Sequence, residues 1–224
     1  MNWERARTPE QQEERRQEIL DAAATLFRHM NYENVSLNAI ADEAGFTKSN
    51  IYRYFASREE IFLSLFLIDF SEWADGFIET LRDLPADTTA EQLAEIWVDS
   101  LYVEERMLDL IPLLALALER NASEDALFHF KLNAHQMMGH IVEALATPLP
   151  MMTPEQGAML FKRVHGLIAG LWPFANPNEV MQKVLERPEL AEPPFDFRCT
   201  LRDAIAVFVR EIQNGVQLAQ RKAS

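Results

Sequence analysis

The chain is expected to be all-α, and three observations carry that expectation. Apolar residues recur at helical spacing, as in Ile19, Ala23, Phe27 and Met30, or Leu201, Ala204, Ile205, Phe208, Val209, Ile212 and Val216. Helix starts are written as capping signatures: Thr8-Pro-Glu-Gln11, its repeat at 153–156, Ser57-Arg-Glu-Glu60, Thr89-Ala-Glu-Gln92 and Asn176-Pro-Asn-Glu179. Only seven of 224 residues are glycine and alternating runs are scarce, which argues against a β protein.

In chain order, the pattern predicts helices over about 9–30, 36–44, 47–54, 58–83, 89–103, 105–119, 123–146, 154–174, 177–187 and 197–220. The first starts at the cap Thr8 with proline at its first position, and the fourth, fifth and eighth start at Ser57, Thr89 and Thr153. Pro112 should break or kink the sixth, because it removes a ladder hydrogen bond and crowds the preceding turn. Thr147-Pro-Leu-Pro150 and the proline-rich 187–194 punctuate the C-terminal half. The repeated Thr-Pro-Glu-Gln is a shared helix start, not a duplicated unit.

Residues 36–55 carry the most information. Ser36 is a suitable cap, Ile40, Ala41 and Ala44 give the first short helix an apolar face, and Gly45 supplies the left-handed residue that ends it. Thr47 then caps a second helix. Lys48, Ser49, Tyr52 and Arg53 fall at i, i+1, i+4 and i+5 and share one face, while Ile51 and Phe55 point the other way. A helix with an apolar back and a basic, hydroxyl-bearing front, after a tight turn, has the form of a helix-turn-helix recognition element.

Ile19-Leu20-Asp-Ala-Ala-Ala-Thr-Leu-Phe27, Asn31-Tyr32, Ser36-Leu37, Ile40-Ala41, Ala44-Gly45, Thr47, Ile51-Tyr52, Tyr54-Phe55, Ser57-Arg58-Glu59 and Ile61 follow one another in the order and spacing of a known domain. Over roughly residues 12–66 the chain resembles the N-terminal domain of the tetracycline-repressor (TetR) family of bacterial regulators. One departure is Asn31, where the family usually has glycine; asparagine also tolerates the left-handed conformation. The resemblance implies a helix-turn-helix DNA-binding domain with an N-terminal arm, residues 1–56. It is followed by a helical ligand-binding and dimerisation domain, residues 57–224.

The overall charge of −14 is at odds with a nucleic-acid partner, and its distribution explains more than its sum. Residues 1–60 carry eight basic and eleven acidic side chains, a net of −3, against −11 for residues 61–224. An acidic body behind a locally basic head would suppress non-specific DNA binding. An ordinary solubilising surface fits the same charges. With no apolar segment resembling a signal peptide, no span long enough for a bilayer and one cysteine, Cys199, the expected location is the cytoplasm, with no membrane partner.

The expected partner is double-stranded DNA carrying a palindromic operator, with contacts from Ser36, Asn38, Thr47, Lys48, Ser49, Tyr52, Arg53 and Arg58. Lys48 and Arg53 suit guanine or phosphate, and Ser49 and Thr47 phosphate or base edges. The resemblance implies that Tyr52 bonds a phosphate through its hydroxyl and that Arg58 holds another. Arg5 and Arg7 are candidates for a flexible arm, with a disordered tail the preferred reading.

One such motif buries too little surface for strong specificity, so a homodimer is expected, with recognition helices about 34–36 Å apart or at a similar groove-matched spacing. Its interface is assigned to Leu160, Val164, Gly166, Leu167, Gly170 and Leu171 on one helix and Ile205, Phe208, Ile212 and Gly215 on another. The family's bundle of the last two long helices across the dimer supports that choice; the alternative is that these faces are only monomer core. The resemblance also implies a small-molecule effector in a C-terminal cavity. Candidate lining residues are Phe77, Trp97, Tyr102, Met107, Phe128, His135, Met138, Phe161, His165 and Trp172, large apolar groups with a few polar tips. Plain helical core is the better account of any single one of them, His135 and His165 included.

No catalytic residue, metal site or cofactor is expected. His135 and His140 are five apart rather than four, and no phosphate loop, nucleophile elbow or zinc-protease motif is present. The leading expectation is a ligand-responsive repressor. The alternatives are an effector-independent DNA-binding protein with a fully packed C-terminal interior, an all-helical enzyme carrying a vestigial helix-turn-helix, and a scaffold with an exposed apolar groove.

Overall fold

The computed structural model describes residues 8–103, 105–190 and 193–223, with side chains as far as 215. Eleven α-helices follow one another: α1 Pro9–His29, α2 Leu37–Glu43, α3 Lys48–Ile51, α4 Arg58–Arg82, α5 Ala90–Leu101, α6 Glu105–Leu113, α7 Glu119–Asn121, α8 Glu124–Leu145, α9 Pro154–Ala175, α10 Glu179–Leu185 and α11 Phe197–Ala223. No strand occurs among the described residues. The arm residues Arg5 and Arg7 lie outside them, as do the side chains of Val216 and the rest of the last turns of α11.

Caps explain most of these ends. At Thr8, Thr89 and Thr153 the hydroxyl accepts from the backbone of the third helical residue, whose glutamine side chain accepts from the cap's own N–H. Ser57 forms half of such a box. Its hydroxyl accepts from Glu60 N, but the Glu60 carboxylate takes the N–H of Ala56 at 2.9 Å. The helix expected at 177–187 starts two residues late, because Asn178 rather than Asn176 caps it. Pro112 does not end α6; the chain stays α-helical to Leu113 and then widens into a π-helical turn, Leu114–Leu118. A ladder bond lost at proline is a familiar cause of such irregularity.

The chain forms two compact units. The first holds the described residues up to 68 together with Leu114–Leu132. Ile19, Leu20 and Ala23 of α1, Ile40 and Ala41 of α2, and Ile51 and Phe55 of the α3 region are buried there with Ile61, Phe62 and Leu65 of α4. Each large apolar side chain so buried contributes about 1.5–3 kcal/mol. Phe62 is the hub, with the rings of Phe27 and Tyr32 packed edge-on at 5.3 and 5.0 Å. From the later segment, Ser123 Oγ donates to Glu60 Oε1 at 2.7 Å, and Phe130 packs against Phe66.

Arg58 departs from its expected role. Its guanidinium lies 4.1 Å over the Tyr32 ring and donates to the carbonyls of Tyr32 and Val35 at 3.1 and 2.9 Å and to Glu59 at 3.1 Å. It is a strut tying the start of α4 to the chain entering α2, not a side chain held out for a phosphate. Tyr32 completes the strut by donating to Glu59 at 2.9 Å, and burial with that acceptor pushes its phenol well above the usual range.

The second unit comprises Asp69–Leu113 and residues from Asn133 onward. Within it α11 packs on α5 and α9, and α6 packs on α9. Phe70, Trp73 and Phe77, one face of α4, stack in series and continue into Trp97 of α5, with Phe161 of α9 against Phe70 and Trp97. Asp69 is fully buried and receives Arg106 of α6 in a bidentate pair, Nε donating to Oδ2 at 2.8 Å. A planar fork on a carboxylate is the geometry that makes a buried charge tolerable.

Arg106→Ala should therefore lower stability by about 3–5 kcal/mol, because it strands a buried carboxylate. Asp69→Leu with Arg106→Met should restore most of that loss. Urea unfolding reads both, and a wild-type midpoint for the single variant contradicts the pair's role. Arg58→Ala should cost about 1–3 kcal/mol through its lost charged hydrogen bonds, measured in the same way.

Candidate nucleic-acid interface

The reversal between α2 and α3 is set by the backbone. Gly45 has φ 69°, the one positive φ among the described residues. Its N–H bonds Asp42 O at 3.2 Å and that of Phe46 bonds Ala41 O at 2.8 Å. These two bonds are the Schellman pattern, which satisfies the last carbonyls of a helix through a left-handed residue that glycine adopts without strain. Asn31, by contrast, is extended (φ −62°, ψ 150°), so the exit from α1 needs no left-handed residue and the exchange of glycine for asparagine costs nothing there.

Thr47 caps α3, accepting from Asn50 N at 3.3 Å, as Ser36 caps α2 from Ala39 N at 3.1 Å. Both hydroxyl oxygens are therefore engaged with the backbone. Past Ile51 the helix tightens, with Arg53 and Tyr54 bonding the carbonyls three residues back, so regular α-helix covers one turn rather than 47–54. Ile51 and Phe55 are buried, which fixes the phase. Thr47, Lys48, Ser49, Tyr52 and Arg53 are all exposed, Tyr52 at 51%, and so is Asn38 on α2. Neither Lys48 nor Arg53 enters an ion pair among the described residues; Lys48 Nζ lies 6.0 Å from the Tyr52 ring centre.

Two arginines of α1 hold this arrangement from behind, and sequence reasoning passed over both. Arg16 lies 4.2 Å over the Phe55 ring and donates to Ser64 at 2.9 Å, and Arg15 lies 5.6 Å over Phe46. Nothing in the local sequence distinguishes them from other charges on a helical face.

The ten pocket candidates do not converge. Phe77 and Trp97 are buried in the aromatic series, with Phe161 against Trp97 and His165 stacked on Phe161, ring on ring. Met107 is also buried, and Met138 half-buried. Phe128, 62% exposed, and His135, also exposed, lie on the surface of α8 and line no interior. Tyr102 and Trp172 meet edge-on at 6.5 Å in an open cleft that also takes in Glu105, Asp109, Phe195, Asp196 and Arg198.

The interface candidates divide by face. Leu160, Val164, Ile205 and Ile212 are buried within the chain, where α9 packs on α6 and α11, so they are corrected from interface to core. Leu167, Leu171 and Phe208 are half-buried, with Phe208 under the Arg163 guanidinium at 5.2 Å. Gly166, Gly170 and Gly215 are exposed, and a Cβ added to any of them meets nothing within 4 Å. Met159 and Phe174, the latter 69% exposed, continue the glycine face of α9. Among the described residues no group of three or more acidic, histidine or cysteine side chains is arranged to hold a metal, and no helix is long and apolar enough to cross a membrane.

The family model described as "Bacterial regulatory proteins, tetR family" matches residues 19–65, and that described as "Tetracyclin repressor-like, C-terminal domain" matches 68–214. The HTH-type transcriptional regulator AcrR of Shigella flexneri is 26% identical over 79% of this chain and 86% of its own length. The HTH-type transcriptional regulator YfiR of Bacillus subtilis is 32% identical over 44% of this chain, and the match spans 58% of that relative. The structure of the transcriptional regulator FadR of Bacillus subtilis in complex with stearoyl-CoA superposes with a TM-score of 0.52 at 15% identity, covering 86% of this chain and 96% of that one. The exposed face of α3, the glycine reversal that aims it and these two matched domains together make the chain a member of the TetR family and a DNA-binding transcriptional regulator.

Proposed function

We propose that the chain acts in the cytoplasm as a homodimeric repressor that reads a palindromic operator and is released by a small molecule. The carrying observation is the outward display of Thr47, Lys48, Ser49, Tyr52 and Arg53 from a helix whose back, Ile51 and Phe55, is locked in the core. Arg53 offers a planar fork to a guanine edge or a phosphate, Lys48 a point charge, and Ser49 and Tyr52 hydroxyls. Ser36, Thr47 and Asn38 sit beside them for flanking phosphates. Arg58 acts indirectly, by holding α4 to the reading head.

The functional division falls at the start of α4, residues 1–56 reading DNA and 57–224 dimerising and sensing ligand. α4 belongs to both compact units, so it is the element through which an effector would bias the spacing of two reading heads. A ligand shifts that spacing only by binding one state better than the other. Support for an effector comes from the fold shared with FadR, which binds stearoyl-CoA in its own structure. The interface is assigned to the exposed face of α9, through Met159, Gly166, Gly170 and Phe174, with the outer face of α11.

Lys48→Ala should weaken operator binding and reduce the salt dependence by about one counterion, and Tyr52→Phe should weaken it by about 1 kcal/mol. Neither should shift thermal stability by more than about 0.5 kcal/mol, since both side chains are exposed. Fluorescence anisotropy across a salt series and thermal melts test this; unfolding in either variant would sink the face assignment.

Gly166→Leu and Gly170→Leu should leave the protomer folded, because both sites are open, yet shift sedimentation from dimer to monomer. A variant that stays dimeric and binds DNA normally rules out this face.

A further inference from the structure

The cleft at the end of α5, the start of α6, the end of α9 and the start of α11 lies wholly within the second unit and has a volume of about 570 Å³. That is the size range of small-molecule sites. Its walls are aromatic: Tyr102, Trp172 and the exposed Phe195. Its polar side chains are three carboxylates, the Asn176 amide and the Arg198 guanidinium. Glu105 and Asp109 are four apart on α6, and Asp196 accepts from the N–H of Cys199 at the start of α11.

Arg198 is the single cation among the described lining residues, and its charge is already committed. Its guanidinium is held by Glu95 at 3.0 Å and by Asp99. It also lies 5.8 Å over the Tyr102 ring. Hydrogen bonds at Cys199, with the Arg202 and Arg198 charges nearby, hold the Asp196 carboxyl below its usual range. That leaves Asp109 and Glu105 as cleft carboxylates without an ion pair among the described residues. Trp172 Nε1–H donates to Asp109 Oδ1 at 2.8 Å, which fixes the carboxylate against an aromatic wall while Oδ2 takes no protein partner among the described residues. Asp109 is exposed at the cleft mouth, yet partial desolvation, with the Glu105 charge nearby, pushes its carboxyl above the usual range, a cost that a bound cation would offset.

We propose that this cleft binds a hydrophobic organic cation, its charge facing Asp109 and Glu105 and its apolar groups lying on Tyr102, Trp172 and Phe195. An anion would meet the Asp109 and Glu105 carboxylates, with the Arg198 charge already engaged. A neutral apolar ligand would desolvate them without compensation. A small hydrated metal ion would leave the aromatic walls unused, whereas an organic cation gains both the Coulomb attraction and the ring faces.

Asp109 and Glu105 share α6 with Arg106, whose bidentate pair holds Asp69 of α4. Occupancy of the cleft thus acts on the helix that is anchored to α4. This deepens the ligand-responsive reading and rests on it for any effect on DNA, but not for the binding itself.

The test is calorimetric titration of the full-length protein with tetraphenylphosphonium and with tetraphenylborate, ions of one shape and opposite charge. The cation should bind once per chain and the anion should not compete for the site. Asp109→Asn keeps an oxygen for Trp172 Nε1 but removes the charge, and should weaken the cation on the order of tenfold; Glu105→Gln provides a second variant, with thermal melts confirming folding. Equal affinity for both ions, no cation binding, or wild-type affinity in both variants would overturn the site. In a separate arm, the cation should release the operator in anisotropy. A chain that binds it as predicted yet keeps its operator affinity would overturn the effector role and leave the site standing.

Discussion

The reversal at Gly45 is the constraint on which the reading head depends. A left-handed residue there closes the end of α2 with two backbone bonds and launches α3 two residues later from the cap Thr47. Because Ile51 and Phe55 must then enter the core, the opposite face has no choice but to carry Lys48, Ser49, Tyr52 and Arg53 into solvent. A β-carbon at position 45 would have to sit at φ 69°, which costs an ordinary residue about 1–2 kcal/mol. The polar face of α3 is thus a consequence of backbone geometry and core packing, and the DNA-facing chemistry is layered on top of it.

Charge is divided in the same spirit. The first sixty residues carry a net charge of −3, and five of their described cations show a division of labour. Arg15, Arg16 and Arg58 lie over the rings of Phe46, Phe55 and Tyr32, where they stiffen the domain. Lys48 and Arg53 remain exposed. Acidity accumulates in the remainder, and the Tyr102–Trp172 cleft holds carboxylates that would attract a cation.

Local signals were read well from sequence and non-local ones were not. Caps and helical periodicity act within a few residues, so most helix starts were legible, while the ends of α3 and α6 were not. The start of α10 slipped because Asn176 and Asn178 are both competent caps. The exposed face of α3 was legible because one turn of helix with two buried anchors fixes its phase. Arg58 was misread because sequence reveals its charge but not the carbonyls of Tyr32 and Val35 that fold against it. Leu160 and Val164 were misplaced because α9 is apolar on more than one side, with Met159 and Phe174 outside. Only the packing of α6 and α11 tells which side is covered. The cleft was half seen, through Tyr102 and Trp172, since its carboxylates come from segments far apart in the chain.

The central claim is that two copies of α3 read an inverted repeat. Its most direct measurement is selection of bound duplexes from a random library by the full-length protein, followed by sequencing. The account predicts enrichment of a palindrome whose half-site centres are separated by about one helical turn, 10–10.5 base pairs, or a multiple of it. Enrichment of a single unrepeated half-site, or of no sequence at all, would contradict it.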